Sequence, residues 1–379
     1  MGARRVGERK GAPVMRGVGM SPAAATRGFL RRQWLVALAG AGLAVSSLAA
    51  HRLPAWSADE GKVLFLLSAL FVAVRGLEQS GLAGRVAGIV ERGGAVPLKL
   101  VAATFFLSML VTNDAALVIV VPLTLSLACD RKDILVILEA LAANAGSALT
   151  PFGNPQNLYL YWRYDVAPGA FVGAIAPFSL VFLGLLLAVA SRVDTRCAPR
   201  QGTPRRVARR AWIHGLLLAV VVLAVLRVLP AAAGIVVVLY ALVWDRAALA
   251  IDYPLLLTFL FFFGIADNLR VMLAAEIGHP GHVFLTSALA SQVVSNVPAA
   301  LLLSEFTSRW PALLWGVNAG GFGSLFGSLA NLIAYRLYVV RLDTRAAAVF
   351  TGRFLALGYA ALFVAFGLYF LLRRMGGLP

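Results

Sequence analysis

The chain has 379 residues, of which 60% are hydrophobic and 13% are charged, and its mean hydropathy is +0.83. So little polar sequence excludes a soluble globular protein and indicates a polytopic membrane protein. The net charge of +17 does not indicate nucleic-acid binding, because the basic residues lie in short segments between apolar runs, as in membrane-protein loops.

Several apolar runs are long enough to be membrane-spanning helices, since a helix needs about 20 apolar residues to cross about 30 Å of hydrocarbon. They lie at 33–51, 61–79, 169–190, 212–229, 232–248, 254–269 and 351–372. Residues 1–32 precede them and are rich in arginine. We interpret this segment as a basic, partly disordered cytoplasmic arm, followed by a first span that is retained rather than cleaved.

Two further apolar segments, 97–128 and 282–306, are interrupted near the middle by polar residues. The interruptions are Thr112-Asn113-Asp114 and Ser295-Asn296. Each arm has at most about 16 residues, which at about 1.5 Å per residue is too short for a full crossing. The pattern predicts two re-entrant hairpins whose polar tips are buried in protein.

Two segments, 134–162 and 312–338, carry a repeated interruption. Residues 144–161 (NAGSALTPFGNPQNLYLY) and 318–335 (NAGGFGSLFGSLANLIAY) are identical at 8 of 18 positions, at a constant offset of 174. Glycine permits unwound backbone and proline breaks a helix, so both segments are predicted to be discontinuous helices. Corresponding interruptions in two halves are typical of the binding site of a secondary transporter.

The order of span, hairpin, broken helix and span therefore occurs twice. We predict a first repeat at 33–190, a basic cytoplasmic linker at 191–211 and a second repeat at 212–379. The distribution of arginine and lysine places the N-terminus in the cytoplasm. In that orientation the hairpins enter from opposite sides, which predicts an all-α polytopic membrane protein built from two inverted repeats.

The tips and breaks are predicted to bind the substrate. Backbone N–H groups at the start of a half-helix form an anion site without a charged side chain. The alternative is that small and polar residues only pack membrane helices together, but two copies in register favour binding. Gln156 adds an amide to the first break. The predicted binding residues are Thr112, Asn113, Ser147, Thr150, Gly153, Asn154, Asn157, Ser295, Asn296, Gly323, Ser324, Ser328 and Asn331.

Asp114 is predicted to couple transport to protons or another cation, because a carboxylate in the middle of a membrane segment is costly and usually functional. The alternative is a cap for the helix that begins at Ala115. Its counterpart in the second hairpin is Val297, so its role is not duplicated. Four other acidic residues are predicted to lie near the ends of membrane segments: Glu78, Glu139, Asp267 and Glu305.

The stretches LVTNDAALVIVVPLTL, GSALTPFGNPQNLYLY and SQVVSNVPAALLL resemble those of the ion transporter superfamily. The branch concerned contains the arsenite-efflux membrane subunit and the citrate and anion permeases. The resemblance covers roughly residues 60–370. It implies an inner-membrane carrier in which two hairpins and two broken helices surround one substrate.

The sequence thus predicts a secondary transporter of a small anion or neutral oxyacid, of the arsenite, sulfate, dicarboxylate or tricarboxylate class. A sodium/proton antiporter centred on Asp114 is the first alternative. An intramembrane enzyme or a channel is less favoured, since enzyme motifs are absent from the sequence. No cofactor or metal site is predicted, coupling to H⁺ or Na⁺ is left open, and the expected partners are the substrate and the lipid bilayer.

The chain contains no P-loop, so an ATPase would have to be a separate subunit, and the sequence leaves both that subunit and a homodimer open. Cys129 and Cys197 are its only cysteines. Two such distant cysteines indicate neither a disulfide framework nor a metal site.

Overall fold

A computed structural model describes residues 34–90, 94–195, 197–198, 210–273 and 276–378. The prediction of an all-α polytopic membrane protein is confirmed, since helices, many of them apolar, account for most of these residues. The predicted arm 1–32 and residues 199–209 of the predicted linker 191–211 lie outside the described residues.

The helices before the linker match the predicted spans closely. They are α1 (Trp34–Ala50), α2 (Ala58–Gln79), α3 (Leu82–Val90), α4 (Val96–Leu110), α5 (Asn113–Ser126), α6 (Lys132–Ser147), α7 (Pro155–Arg163) and α8 (Pro168–Ala190). Only α3 has no predicted counterpart, because its nine residues are too few to register as a span. Val86 and Val90, one turn apart, form its buried face.

The helices after the linker follow the same order. They are α9 (Arg210–Val225), α10 (Gly234–Trp244), α11 (Tyr253–Leu273), α12 (Pro280–Val294), α13 (Asn296–Leu303), α14 (Trp310–Gly320), α15 (Leu329–Val339) and α16 (Thr344–Arg374). Short 3₁₀ turns lie at Ala231–Ala233, Arg246–Leu249 and Ser304–Phe306.

Among the described residues, three helical stretches are long and apolar enough to cross a membrane on their own: Pro168–Ala190, Arg246–Leu273 and Thr344–Arg374. Other apolar helices are shorter, at 10–17 residues. Those in the hairpins are short for a structural reason: α4 has 15 residues and α5 has 14, roughly 21–23 Å each. An arm of that length ends inside a layer about 30 Å thick.

The two predicted hairpins correspond to pairs of contacting helices. α4 and α5 are joined by Val111 and Thr112, and they contact each other along their length. α12 and α13 are joined at Ser295, whose φ of 76° marks a sharp reversal. α13 has only eight residues and continues as the turn Ser304–Phe306, so the second hairpin is less regular than the first.

The two broken helices correspond to α6 with α7 and to α14 with α15, interrupted at 148–154 and 321–328. The helix before each break packs closely on the neighbouring hairpin. A Cβ at Gly146 would lie 2.2 Å from the Phe105 carbonyl oxygen, and one at Gly320 would lie 2.5 Å from Ser291 Cβ. Only glycine allows the backbones to approach so closely.

Segments predicted for the same membrane side meet in the structure. Arg353 pairs with Asp133 on one side, while on the other Arg163 pairs with Glu305 at 3.1 Å. These ion pairs therefore agree with the predicted assignment of the loops to two sides of the membrane. The inversion of the repeats and the side that faces the cytoplasm both stay predictions.

The expectation about cysteines is wrong for Cys129, which is disulfide-bonded. A short antiparallel pairing of Ala128–Cys129 with Cys197–Ala198 places the backbone of Cys129 opposite that of Cys197. The chain returns to this point after α8, a long-range contact that no local spacing in the sequence reveals.

Candidate functional site

Four half-helices have their N-termini at the hairpin tips and the helix breaks. Thr112 Oγ1 accepts the Ala115 N–H at 3.2 Å to cap α5, and Asn154 Oδ1 accepts the Asn157 N–H at 3.0 Å to cap α7. Ser328 caps α15 through Ala330 N at 3.2 Å. The fourth helix, α13, starts at Ser295 without a side-chain cap. Each start carries the positive end of a helix dipole.

Each hairpin tip is bonded to the break of its own repeat. Asn113 N donates to the Gly153 carbonyl at 3.1 Å, and Asn296 N donates to the Gly327 carbonyl at 3.0 Å. Gly153 and Gly327 are equivalent at the offset of 174. The same backbone contact is therefore made twice, and it holds the starts of the half-helices together.

Buried asparagines connect the two repeats. Asn144 Nδ2 donates to Asn331 Oδ1 at 2.9 Å, and Asn318 Nδ2 donates to Asn157 Oδ1 at 2.9 Å. Asn144 is equivalent to Asn318, and Asn157 to Asn331. Each bond thus joins the first half-helix of one repeat to the second half-helix of the other. The two hydrogen bonds are equivalent under the offset of 174.

The remaining tip and break amides extend this set. Asn113 Nδ2 donates to Asn144 Oδ1 at 3.4 Å, and Asn154 Nδ2 donates to Asn318 Oδ1 at 3.2 Å. Asn296 lies close by, since a Cβ at Gly321 would be 3.3 Å from Asn296 Nδ2. We call these seven residues the asparagine cluster: Asn113, Asn144, Asn154, Asn157, Asn296, Asn318 and Asn331. None of their side chains is more than 4% exposed.

Ser147 and Ser328 border the cluster, and the carbonyls of Thr150 and Ser324 accept from Asn157 Nδ2 at 3.2 Å and from Asn331 Nδ2 at 3.0 Å. The side chains of these two residues are turned to the hairpins: Thr150 Oγ1 donates to the Met109 carbonyl at 3.0 Å, and Ser324 Oγ donates to the Gln292 carbonyl at 3.0 Å. Gly323, with φ 81°, also lies against Gln292. These contacts attach each break to its hairpin, and a role of the three residues in binding stays a prediction.

Asp114 lies outside the cluster. It is the second residue of α5, whose cap is Thr112, so the capping alternative does not describe its carboxylate. Its Oδ1 is buried and has no hydrogen-bond partner among the described residues. Asp114 lines a cavity of about 190 Å³ together with Arg75, Glu78 and Asp252. Arg75 Nη1 donates to Glu78 Oε2 at 2.9 Å within it.

Aromatic rings lie at the equivalent region of the second repeat. The offset of 174 makes Tyr159 the counterpart of Ile333, which lines the Asp114 cavity. The weaker match of Gly76 with Gly264 makes Phe263 the counterpart of Arg75. Tyr159 and Phe263 are in ring contact, with centroids 5.4 Å apart. Tyr159 also lines a separate cavity of about 320 Å³ with Arg163 and Glu305, so both places carry a charged cavity and the second one contains the aromatic pair at its wall.

Glu139 is a residue that sequence reasoning missed. It was predicted near the end of a membrane segment, but its side chain is completely buried in α6. The Thr124 hydroxyl donates to Glu139 Oε1, and Oε2 has no partner among the described residues. The signal was present in ILVILEALAANAG, where Glu139 is the one charged residue of the run.

Paired hairpins, paired broken helices and a buried polar cluster at their meeting point define a membrane transporter and not an enzyme. The chain belongs to the citrate transporter family, whose model matches residues 23–308.

Relatives agree with this class. The inner membrane protein YbiR of Escherichia coli is 37% identical over 307 residues, which cover 74% of this chain and 81% of that protein. An uncharacterized transporter of Methanocaldococcus jannaschii is 33% identical over 290 residues, 73% of this chain and 81% of its own. Silicon efflux transporter LSI3 of Oryza sativa is 32% identical over 139 residues, 35% of this chain and 28% of its own.

Proposed function

We propose that this protein is a secondary active transporter of a small anion or neutral oxyacid in the inner membrane, with its N-terminus in the cytoplasm. The observation that carries the proposal is the asparagine cluster at the starts of four half-helices. Its two equivalent hydrogen bonds, at 2.9 Å each, link the repeats. A substrate that competes for these amides would change how the repeats are held together.

The electrostatics favour an oxygen-rich substrate. The cluster contains amides only, and each helix start adds about half a positive charge. An anion or polar oxyacid is therefore held by dipoles and neutral donors. The family's description names citrate and one relative's name includes silicon, and both belong to this chemical range.

The arrangement of two cavities supports alternating access. The Asp114 cavity borders the starts of α5 and α15, and a second cavity, lined by Tyr159, Arg163 and Glu305, lies toward the other side. In our proposal the two cavities open to the substrate in turn. Asp114 supplies the coupling, because a carboxylate inside a membrane segment is costly and usually functional, its Oδ1 is buried without a partner among the described residues, and it shares its cavity with Arg75, Glu78 and Asp252.

Uptake into proteoliposomes tests the proposal. The panel is sulfate, phosphate, arsenite, silicic acid, citrate and succinate, each with and without a sodium gradient or a pH gradient. We expect gradient-driven uptake of at least one member and its loss in Asn144→Ala. Val45→Ala serves as the control variant, because Val45 is 66% exposed and lies on α1, which packs on α11 and contributes no residue to the cluster. Gradient-independent leakage, or no uptake of any member, contradicts the proposal.

A sodium/proton antiporter is the second candidate, because Asp114 shares its cavity with Glu78 and Asp252. It predicts that sodium exchanges for protons in the absence of every panel solute. Asparagine cluster variants would then leave that exchange intact, and Asp114→Asn would abolish it.

A further inference from the structure

Gln156 has a buried amide group that makes no hydrogen bond within the part of the chain that the structure describes. The residue is 1% exposed, and neither Oε1 nor Nε2 has a partner among the described residues. Leaving a buried polar group unpaired costs free energy, so an unpaired native side chain requires an explanation.

The neighbouring amides show what satisfied side chains look like at this site. Asn157 Nδ2 donates to three carbonyls, at 2.9–3.3 Å, and Asn154 bonds to both Ser147 and Asn318. Within the described residues, Gln156 is the one buried Asn or Gln whose two amide atoms both lack a partner. Crowding at the break therefore does not prevent hydrogen bonding in general.

The fold does not require this amide. The residue equivalent to Gln156 at the offset of 174 is Ala330, which occupies the same second position of α15. Both helices start in the same way, with Asn154 and Ser328 as caps. The second repeat therefore builds the same turn with a methyl group, and the amide of Gln156 is an addition confined to the first repeat.

Helix geometry gives the direction expected for the Gln156 side chain. In an α-helix each Cα–Cβ bond tilts toward the N-terminus, so a long side chain covers the turn before its own Cα. Gln156 is in the first turn of α7, and the turn before it is the break that contains Asn154. The amide donor Nε2 and acceptor Oε1 are thus expected near the N-terminus of α7, which is the positive end of its dipole.

We propose that Gln156 binds the transported solute and selects for a hydroxyl group on it. Nε2 donates to an oxygen of the solute, and Oε1 accepts a hydrogen bond from its hydroxyl. The solute class is that of hydroxylated oxyanions and oxyacids, which offer both. This inference rests on the proposed transport function and adds to it the feature of the substrate that is recognised.

Matched solute pairs test the selection directly. Hydrogen phosphate and sulfate, malate and succinate, and citrate and tricarballylate differ chiefly in whether a hydroxyl is present. We expect the wild-type protein to prefer the hydroxylated member of the pair it transports, by about 5- to 10-fold in kcat/KM, as for one neutral hydrogen bond. Gln156→Ala, which copies Ala330, and Gln156→Met should abolish that preference.

A stability measurement separates binding from a structural role. Removing an unpaired amide should not destabilise the protein, so Gln156→Met should melt at or above the wild-type midpoint without solute. Gln292→Met is the matched control, because the Gln292 amide bonds to Ala288, Gly320 and Ser324. Asp114 and Val297 are 183 residues apart, and the same offset makes Met109 the first-hairpin counterpart of Gln292, so methionine is the residue that the other repeat has there. The melting midpoint of Gln292→Met should fall.

The outcomes of these experiments distinguish the role of Gln156 from the proposed transport function on which it rests. If the wild-type protein transports a panel solute and the Gln156 variants show the same preference between pair members, the inference is overturned and the transport function stands. A lower melting midpoint for Gln156→Met overturns it as well. If the wild-type protein carries no solute, the transport function fails and the inference falls with it.

Discussion

Asn144 and Asn318 each bond along their own helix and across to the other repeat. Asn144 Nδ2 donates to the Ala140 carbonyl at 3.1 Å as well as to Asn331, and Asn318 Nδ2 donates to the Leu314 carbonyl at 2.8 Å as well as to Asn157. One amide nitrogen therefore anchors the side chain locally and links the two repeats. An aspartate or leucine at either position lacks that nitrogen donor.

A double-mutant cycle measures the link between the repeats. Asn144→Ala and Asn331→Ala should each lower the melting midpoint in detergent, and the double variant should lose less than the sum, because the two share one bond. We expect a coupling of about 0.5–3 kcal/mol. The pair Asn318 and Asn157 should behave in the same way.

Asn144→Ala combined with Asn157→Ala is the control for that cycle. No hydrogen bond joins these two side chains among those of the described residues. Additive effects in the bonded pairs would show that the bonds do not link the repeats energetically.

Glu139 gives a second prediction about a single residue. Glu139→Gln keeps an oxygen that accepts from the Thr124 hydroxyl, whereas Glu139→Ala leaves that hydroxyl unpaired beside a new cavity. We expect the glutamine variant to melt near the wild-type midpoint and the alanine variant to lose about 2–4 kcal/mol. Equal melting of the two variants would show that the Thr124 contact contributes nothing.

The hairpins and broken helices were predicted from the sequence because their signal is local. Glycine, proline and asparagine interrupt apolar runs at 112–114, 146–157 and their counterparts, and these residues reshape the backbone wherever they occur. The position of Asp114 beside Arg75, the burial of Glu139 and the ring contact of Tyr159 were not predicted. They depend on which helices meet, and one sequence without its fold does not specify that.

Close helix packing beside the second break gives a testable prediction. Gly320→Val should force α12 and α14 apart, because its Cβ would lie 2.5 Å from Ser291 Cβ. Overpacking of this kind costs about 1–3 kcal/mol, so the melting midpoint and uptake should both fall. Gly352→Val makes the same change in α16, where nothing lies within 4 Å, and should be nearly neutral. Equal effects at the two sites would indicate helix propensity rather than packing.

The complete molecule is symmetric in its framework and asymmetric in its chemistry. The tip-to-break bonds and the asparagine bonds occur in both repeats. Three polar residues of the first repeat have apolar counterparts in the second: Asp114 with Val297, Glu139 with Leu313 and Gln156 with Ala330. A symmetric framework permits two equivalent states, and residues present in one repeat alone let a proton or a solute favour one of them.

Asp114→Asn tests whether that asymmetry couples transport to protons. The cap of α5 is Thr112, so the variant should fold and melt like the wild-type protein. Asparagine cannot exchange a proton, so uptake driven by a pH gradient should fall to background while solute exchange across the membrane continues. Asp267→Asn removes a carboxylate on the opposite side that is paired with Arg52 at 2.7 Å, and should retain pH-driven uptake. Wild-type rates of pH-driven uptake in Asp114→Asn would exclude this carboxylate as the proton carrier, and a sodium gradient would be the next driving force to apply.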